Sequence, residues 1–247
     1  SDVYKRQEEG RPMGSFYGYR YKGVYQNKDA TYARDIEGNV MKDISGNAIV
    51  MRNGSYTVAP GDAIYEDVNH DGVINQYDIV YLGNSNPRLT GGAGLNVSYK
   101  QFKLSAIFYG RYGQDVVNAT RLNNESMRGI DNQSTAVLRR WRNEGDQTDI
   151  PRALYGEGYN TLGSDRFVED ASYLRLKSLS FTYRLPKKAI QRWGFNNIDV
   201  YVTGYNLFTW TKYTGQDPEV KTENTYARDT ATTPASIQLV AGFNLSF

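Results

Sequence analysis

The residues best placed to do chemistry lie in one run, Asp67-Val68-Asn69-His70-Asp71-Gly72-Val73-Ile74-Asn75-Gln76-Tyr77-Asp78. Oxygen-bearing side chains stand at positions 1, 3, 5, 9 and 12 of this twelve-residue loop, with glycine at 6 and an apolar residue at 8. A hard cation such as Ca²⁺ takes about six to eight oxygen ligands, and a chain wraps one that tightly only where a residue without a Cβ turns sharply. Gly72 supplies the turn. Asp67, Asn69 and Asp71 then face inward, the Val73 carbonyl adds a backbone ligand, Asn75 acts through water and Asp78 closes the cage from the far side. Asp78 stands where the EF-hand loop has Glu, which shortens the last ligand and makes the loop similar to the calcium loops of dockerins. The role expected for Ca²⁺ is structural, ordering an exposed loop without touching a substrate. Asn-His-Asp-Gly is equally a good turn sequence, and in that alternative the loop closes with no ion. His70 is the single histidine and sits inside this loop. No Ser or carboxylate pair is placed for nucleophilic or acid–base work, so no catalytic residue is expected and an enzyme is the weakest class.

The elements that must carry this loop are strands. Ala93, Leu95, Val97 and Tyr99 alternate with Gly94, Asn96, Ser98 and Lys100. After a turn at Lys100-Gln101, Phe102, Leu104, Ala106 and Phe108 alternate with Lys103, Ser105, Ile107 and Tyr109. Alternation of this kind gives a strand one apolar and one polar face. A strand from Phe167 to Leu185 carries Leu174 and Leu176 on one parity and Leu179, Phe181, Tyr183 and Leu185 on the other. The switch near Ser178 is either a bulge or the point where the strand leaves a membrane. A further strand runs from Ile198 to Trp210. The last holds Ile237, Leu239, Ala241, Phe243, Leu245 and Phe247 on one face. Ahead of these lie a tyrosine-rich stretch, with Tyr17, Tyr19, Tyr21 and Tyr25 on one parity, and a polar meander turning at Gly38, Gly46 and Gly54. Between the strands, the stretch from Gln114 to about Asp165 is irregular apart from a helix expected over Ser134 to Asn143. Tyr17, Tyr19, Tyr21 and Trp141 are candidate contacts for a ligand or a lid; the alternative is a packed strand face, with the arginines beside Trp141 on a solvated helix face.

Composition excludes several classes. No apolar run approaches the roughly eighteen residues of a spanning helix. A membrane β-barrel is compatible with the mean hydropathy of −0.64, because its strands turn only alternate residues to lipid. The net charge of +2 and the scattered Lys and Arg show no basic stripe, so no nucleic-acid partner is expected. The absence of Cys removes disulfides and thiolate metal sites. Ser1 to Arg6 show no secretory leader, so the sequence reads either as a cytoplasmic protein or as a piece lacking its true N-terminus.

Connection lengths then set the architecture. They run long before Pro87, short at Lys100, long after Tyr112, fairly short over Pro186 to Asn197, and long after Tyr213. Short turns at one rim and long loops at the other characterise outer-membrane barrels. The expected fold is all-β: strands of a large antiparallel transmembrane barrel with long extracellular loops and short periplasmic turns. Residues 1–86 form a tyrosine-rich strand, an extracellular meander and the calcium-type loop, and residues 87–247 carry the barrel strands with two long loops. Tyr99, Phe102, Trp193, Phe195 and Phe247 fall at the periplasmic rim, and Trp210 and Tyr213 at the other.

Four blocks carry a family resemblance: Glu9-Gly10-Arg11-Pro12-Met13-Gly14-Ser15-Phe16-Tyr17-Gly18-Tyr19; the Asp67 to Asp78 loop with Gly83-Asn84 and Pro87; Asp165-Arg166-Phe167-Val168-Glu169-Asp170 with Tyr173-Leu174-Arg175-Leu176; and Asn206-Leu207-Phe208-Thr209-Trp210. In this order they resemble the C-terminal region of the SusC/RagA family, TonB-dependent outer-membrane transporters of Bacteroidota. The resemblance runs from about Glu8 to Phe247. It implies a plugged barrel of about 22 strands of which this chain holds the last few, a SusD-like surface lipoprotein as lid, uptake of oligosaccharides or peptides, and drive through the TonB complex by segments missing here. It also implies outer-membrane lipid as a partner and Phe247 as the recognition end for barrel assembly. The competing class is a secreted calcium-stabilised β-sandwich that binds carbohydrate, which the long alternating strands and the terminal Phe disfavour.

Overall fold

The structure, a computed structural model, describes residues 8–220, 222–223 and 226–247. The reading of Ser1 to Arg6 as lacking a leader lies outside the described residues. The chain divides into two compact units. The first comprises the described residues up to Ser85 with Val116–Glu169 and Val220–Ala231, and the second Asn86–Asp115, Asp170–Glu219 and Thr232–Phe247. The spatial grouping thus cuts across the linear division at residue 86. The long segments pack with the N-terminal stretch because the strand at Val117 pairs in parallel with that at Arg228, and Phe16, Val117 and Tyr226 share a buried cluster.

The second unit is built on one antiparallel sheet. Its strands are β1 (Leu89–Tyr99), β2 (Phe102–Tyr112), β3 (Tyr173–Arg184), β4 (Asn197–Thr211) and β5 (Gln238–Ser246), in the order β5-β4-β3-β2-β1. The register follows the alternation seen in the sequence. Val97 faces Leu104, which faces Phe181, which faces Val202, which faces Ala241, so one apolar row crosses all five strands. That row and its neighbours stay open: Leu95, Val97, Phe181, Val202, Leu239 and Phe243 are all exposed. The opposite face is polar, with Thr203 donating to the Ser180 hydroxyl and Ser105 to the Asn96 side chain.

The change of parity in β3 is a bulge. Its register with both β2 and β4 shifts between Leu176 and Ser178, so Leu174 and Leu176 share the apolar face with Leu179, Phe181 and Tyr183 although their parity differs. On β4 the irregularity falls at Asn206, which takes φ +53°. At the short-turn end, Lys100 occupies φ +53° in the β1–β2 turn. The connection from β3 to β4 winds through Lys187–Ile190 and Gln191–Trp193.

The first unit is held by short pieces around a tyrosine-rich core of Tyr19, Tyr25, Met51, Val58, Tyr65, Ile74 and Tyr159. Strand Ser15–Gly18 pairs with Val80–Asn84, and Tyr21–Val24 with Ala63–Tyr65. The meander is a repeat: the Asp35 and Asp43 carboxylates each accept backbone N–H bonds from the residues two and four positions on, closing turns at Gly38 and Gly46.

Two expectations are corrected. Ser134 to Asn143 is not an α-helix but a 3-10 turn over Thr135–Arg139. Ser134 caps it, yet the Trp141 N–H donates to the Ile150 carbonyl at 2.9 Å, a tertiary bond that pulls the chain out of the helix. The strand expected from Phe167 opens instead with a 3-10 turn, Asp165–Phe167, and a short strand, Val168–Asp170, before β3 begins.

A Cβ added at Gly110 would stand 2.9 Å from the Tyr173 carbonyl oxygen on the neighbouring strand, whereas one at Gly91 meets nothing within 4 Å. Gly110→Ala is therefore expected to cost about 1–3 kcal/mol of stability and Gly91→Ala almost nothing. Thermal unfolding of the two variants of the full-length protein checks this.

Candidate functional site

The oxygen-rich loop leaves strand Ala63–Tyr65 and ends in a 3-10 turn, Gln76–Asp78. Gly72 takes φ +78°, the conformation expected of it, and a Cβ there would press against that of Ala33 at 2.9 Å. Asp67 accepts the Gly72 N–H at 2.8 Å and the Asp71 N–H at 3.2 Å, and Asp71 accepts the Val73 N–H at 2.8 Å. Asn69 and Asn75 both donate their side-chain amides to Asp71, and Asn75 also reaches the Val73 carbonyl at 3.0 Å. Asp78 is fully buried and holds the Val68 and Asn75 N–H groups at 2.8 Å each. With Asn75 capping the Tyr77 N–H, Asp78 completes a capping box that fixes the exit turn.

The loop's six predicted ligand residues therefore form one hydrogen-bonded network. Among the described residues, no three His, Asp or Glu side chains gather as a metal cluster. The donors are nonetheless oxygens only, the kind a hard cation takes. Burial pushes the Asp67 carboxyl up; bonds from Gly72 and Asp71 act against this, and the Asp78 and Asp71 charges add to the rise. A cation among these groups would relieve that crowding.

The tyrosine stripe is mostly interior. Tyr17 and Tyr19 are buried, and Tyr21 is half-buried with its hydroxyl donating to the Asp149 carbonyl. Trp141 is buried, packed where a Cβ on Gly61 would overlap its indole ring. These four side chains frame the first unit. Backbone bonds of the same stretch join two of the sequence blocks: the Asp165 carboxylate accepts the Tyr21 N–H at 2.7 Å, and the Tyr19 backbone N–H donates to the Gly163 carbonyl at 3.0 Å.

The charged clusters escaped sequence reasoning. Asp62, fully buried, takes bonds from Arg152, Tyr56, Asn160 and the Ala59 N–H. Glu125 joins Arg121 and Arg166, and Arg121 also reaches Glu169. In the second unit the buried Arg175 of β3 pairs with Asp217 and Glu219 and donates to Thr209, while Lys177 shares Glu219. Asp217 and Glu219 belong to the connection after β4, so these ion pairs tie that connection to the polar face of the sheet. Apart from Arg121 and Glu125, which stand at i,i+4, the ion-pair partners lie far apart in sequence, as do Asp62 and Asn160 at 98 residues, and leave no spacing signal to read. At the other end Phe247 lies 4.9 Å from Phe195, ring to ring, and Phe102 the same distance from Tyr183.

No family model matches the chain. Curated relatives do. TonB-dependent receptor P3 of Formosa agariphila is 34% identical over 216 residues, 87% of this chain and 19% of that protein. TonB-dependent receptor P26 of the same organism is 36% identical over 64% of this chain and 16% of its own length. Among solved structures, the RagAB peptide transporter matches with 27% identity and a TM-score of 0.68, over 94% of this chain and 23% of that one. The RagAB peptide importer in its closed-closed state matches with a TM-score of 0.64. Sequence and fold together place this chain with the TonB-dependent receptors of the SusC/RagA type, as a stretch of antiparallel barrel. It spans about a fifth of the length of the curated relatives named here.

Two outcomes follow from the geometry. Asp78→Ala strands two inward N–H donors and should cost about 2–4 kcal/mol of local stability, measured by hydrogen exchange of residues 67–78. For Asp217, burial raises the carboxyl, but bonds from the Glu219 and Ala235 N–H groups and from Arg175 outweigh it and hold the value low. A lowered folded value means that the anchor acts fully above the ordinary carboxylate range near ~4 and is lost as pH falls through the lowered one. Protease cleavage within residues 213–235 should therefore accelerate only in acid below that range.

Proposed function

We propose that the full-length protein is a TonB-dependent importer of the outer membrane, taking up oligosaccharides or peptides beneath a SusD-like surface lipoprotein. The observation that carries this is the sheet itself. Strands of 11, 11, 12, 15 and 9 residues all reach the roughly 9–11 that cross a bilayer at a tilt, the longer two extending past it. Their apolar face is open and the outermost strands, β1 and β5, are each paired on one side only among the described residues. A soluble carbohydrate-binding sandwich would bury such a face against a second sheet. The kinship with TonB-dependent receptors and the RagAB peptide transporter supports the same class. Energy would come from the TonB complex through parts of the protein outside this chain, and Phe247 would mark the strand end for assembly.

Within this reading the Asp67–Asp78 loop takes Ca²⁺ as a structural ion. Support comes from the all-oxygen donors and from the Asp67 carboxyl, pushed up first by burial and further by the Asp78 and Asp71 charges. Asp67, Asn69, Asp71, the Val73 carbonyl, Asn75 and Asp78 would hold it, and the bound charge would return the Asp67 carboxyl toward its ordinary range. Asp71→Ala should raise protease sensitivity of the loop in Ca²⁺ buffer severalfold while leaving the barrel folded. Equal digestion of mutant and wild type, with and without chelator, would rule the ion out.

The function is tested by expressing the tagged full-length gene in its host and identifying what co-purifies from detergent-solubilised outer membranes. A large barrel with a stoichiometric lipoprotein is expected. A soluble protein recovered alone from the medium would favour the carbohydrate-binding module.

A further inference from the structure

The turn that opens the first unit and the exit of the oxygen-rich loop enclose a hollow of about 540 Å³, with Glu8, Arg11, Arg20, Gln76, Tyr77 and Tyr81 among its walls. That volume lies within the roughly 300–1,000 Å³ of a small-molecule site. Every lining residue belongs to the first unit. The Glu8 carbonyl accepts the Arg11 N–H at 3.1 Å, and Gly10 at φ +83° turns the chain there. The Arg11 guanidinium then lies over the Tyr81 ring, 4.7 Å from its centre. Tyr81 is itself braced by the buried Tyr17, edge-on at 6.0 Å. This contact uses the ring face and none of the guanidinium N–H groups, and Arg11 forms no side-chain hydrogen bond or ion pair among the described residues. Arg20 gives one nitrogen to Glu66 at 2.9 Å, and Glu66 is shared with Lys22 at 3.0 Å. Three cations thus meet two carboxylates, Glu66 and Glu8. Gln76 and Tyr77 belong to the loop but not to its six oxygen donors, and the Tyr77 side chain is 69% exposed.

We infer that this hollow binds a hexuronate residue of an acidic oligosaccharide, with its carboxylate on the Arg11 fork and its ring against Tyr77. The inference rests on the importer reading, which puts the first unit on the outer side where a solute arrives, and it narrows the substrate class. The occupant follows from the three kinds of group present. A guanidinium held at its face keeps its N–H donors for a planar anion, and a carboxylate meets them with two parallel bonds. The Glu8 carboxylate takes only donors and the Gln76 amide offers both kinds of group, so the matching ligand carries hydroxyls as well as a negative charge. Exposed Tyr77 presents a flat surface with an apolar body and a polar tip, suited to the C–H face of a sugar ring. A neutral sugar lacks the anion, and an inorganic anion leaves Glu8 and Tyr77 without a role. A peptide carboxylate shares the fork but brings no hydroxylated ring, and the test separates it.

The full-length protein is purified from outer membranes, its barrel confirmed by heat-modifiable migration, and its binding of digalacturonate measured by titration calorimetry beside the neutral disaccharide of the same linkage and dialanine. Wild type should bind digalacturonate about ten-fold more tightly than the neutral sugar, the worth of one charge-assisted bidentate contact. Arg11→Gln should weaken digalacturonate to the level of the neutral sugar and leave the neutral sugar unchanged, whereas Tyr77→Ala should weaken both. Lys42→Gln, an exposed charge outside the hollow, should change neither. Arg11 and Tyr77 are exposed, so their variants keep the fold. Digalacturonate bound equally by wild type and Arg11→Gln, a folded barrel that binds no digalacturonate, or dialanine bound as tightly and with the same dependence on Arg11 overturns the hollow. Absence of the protein from the outer-membrane fraction would overturn the importer reading itself, whatever the titration gives.

Discussion

A backbone N–H or C=O in hydrocarbon has no water to bond, so every strand in a bilayer must be paired on both sides. Among the described residues, the second unit meets that demand across four internal interfaces and leaves it open at two places, the outer edges of β1 and β5. Unpaired edges also recruit other chains, a hazard that closure into a barrel removes. The exposed apolar row from Val97 to Ala241 makes the same statement about the faces: it fits a solvent of lipid and not one of water. Pairing and patterning thus agree on one environment, and the remaining features can be placed relative to it.

The polar face is where charge is spent. Arg175 is almost wholly buried, and a buried guanidinium without partners would be strongly destabilising. Its pairing with Asp217, Glu219 and Thr209 fixes the connection after β4 against the sheet, so the cost of burying the cation is offset by defining where that connection lies. The first unit uses the same device twice, around Asp62 and around Glu125. In both units irregular backbone is positioned by buried ion pairs, while the regular strands are held by register together with cross-strand bonds such as Thr203 to Ser180.

What the sequence made legible follows from this division. Period-two alternation from Ala93 to Phe108, and again from Ile237 to Phe247, revealed strands because one face must be apolar throughout. The parity switch in β3 was legible as a bulge or a membrane exit, and pairing on both sides resolved it as a bulge. The helix over Ser134 to Asn143 was misread because local propensity lost to one tertiary bond from Trp141 and the burial of its ring. In the Asp67–Asp78 loop, position and spacing foretold the turn at Gly72 but not that Asp78 would cap the Val68 and Asn75 N–H groups. Apart from the i,i+4 pair Arg121–Glu125, the ion clusters were invisible, since their partners meet only after folding.

The central claim, that one face of this sheet meets lipid, is tested most directly by single-cysteine scanning along β5 of the full-length protein in native outer membranes. These 247 residues add no Cys of their own to the labelling, and any Cys elsewhere in the full-length protein is first replaced by Ser. Positions 239, 241, 243 and 245 should resist a water-soluble maleimide and, once spin-labelled, relax strongly with oxygen, while 238, 240, 242 and 244 should react or relax with a polar reagent. Uniform water accessibility along the strand, with no period of two, would contradict the account.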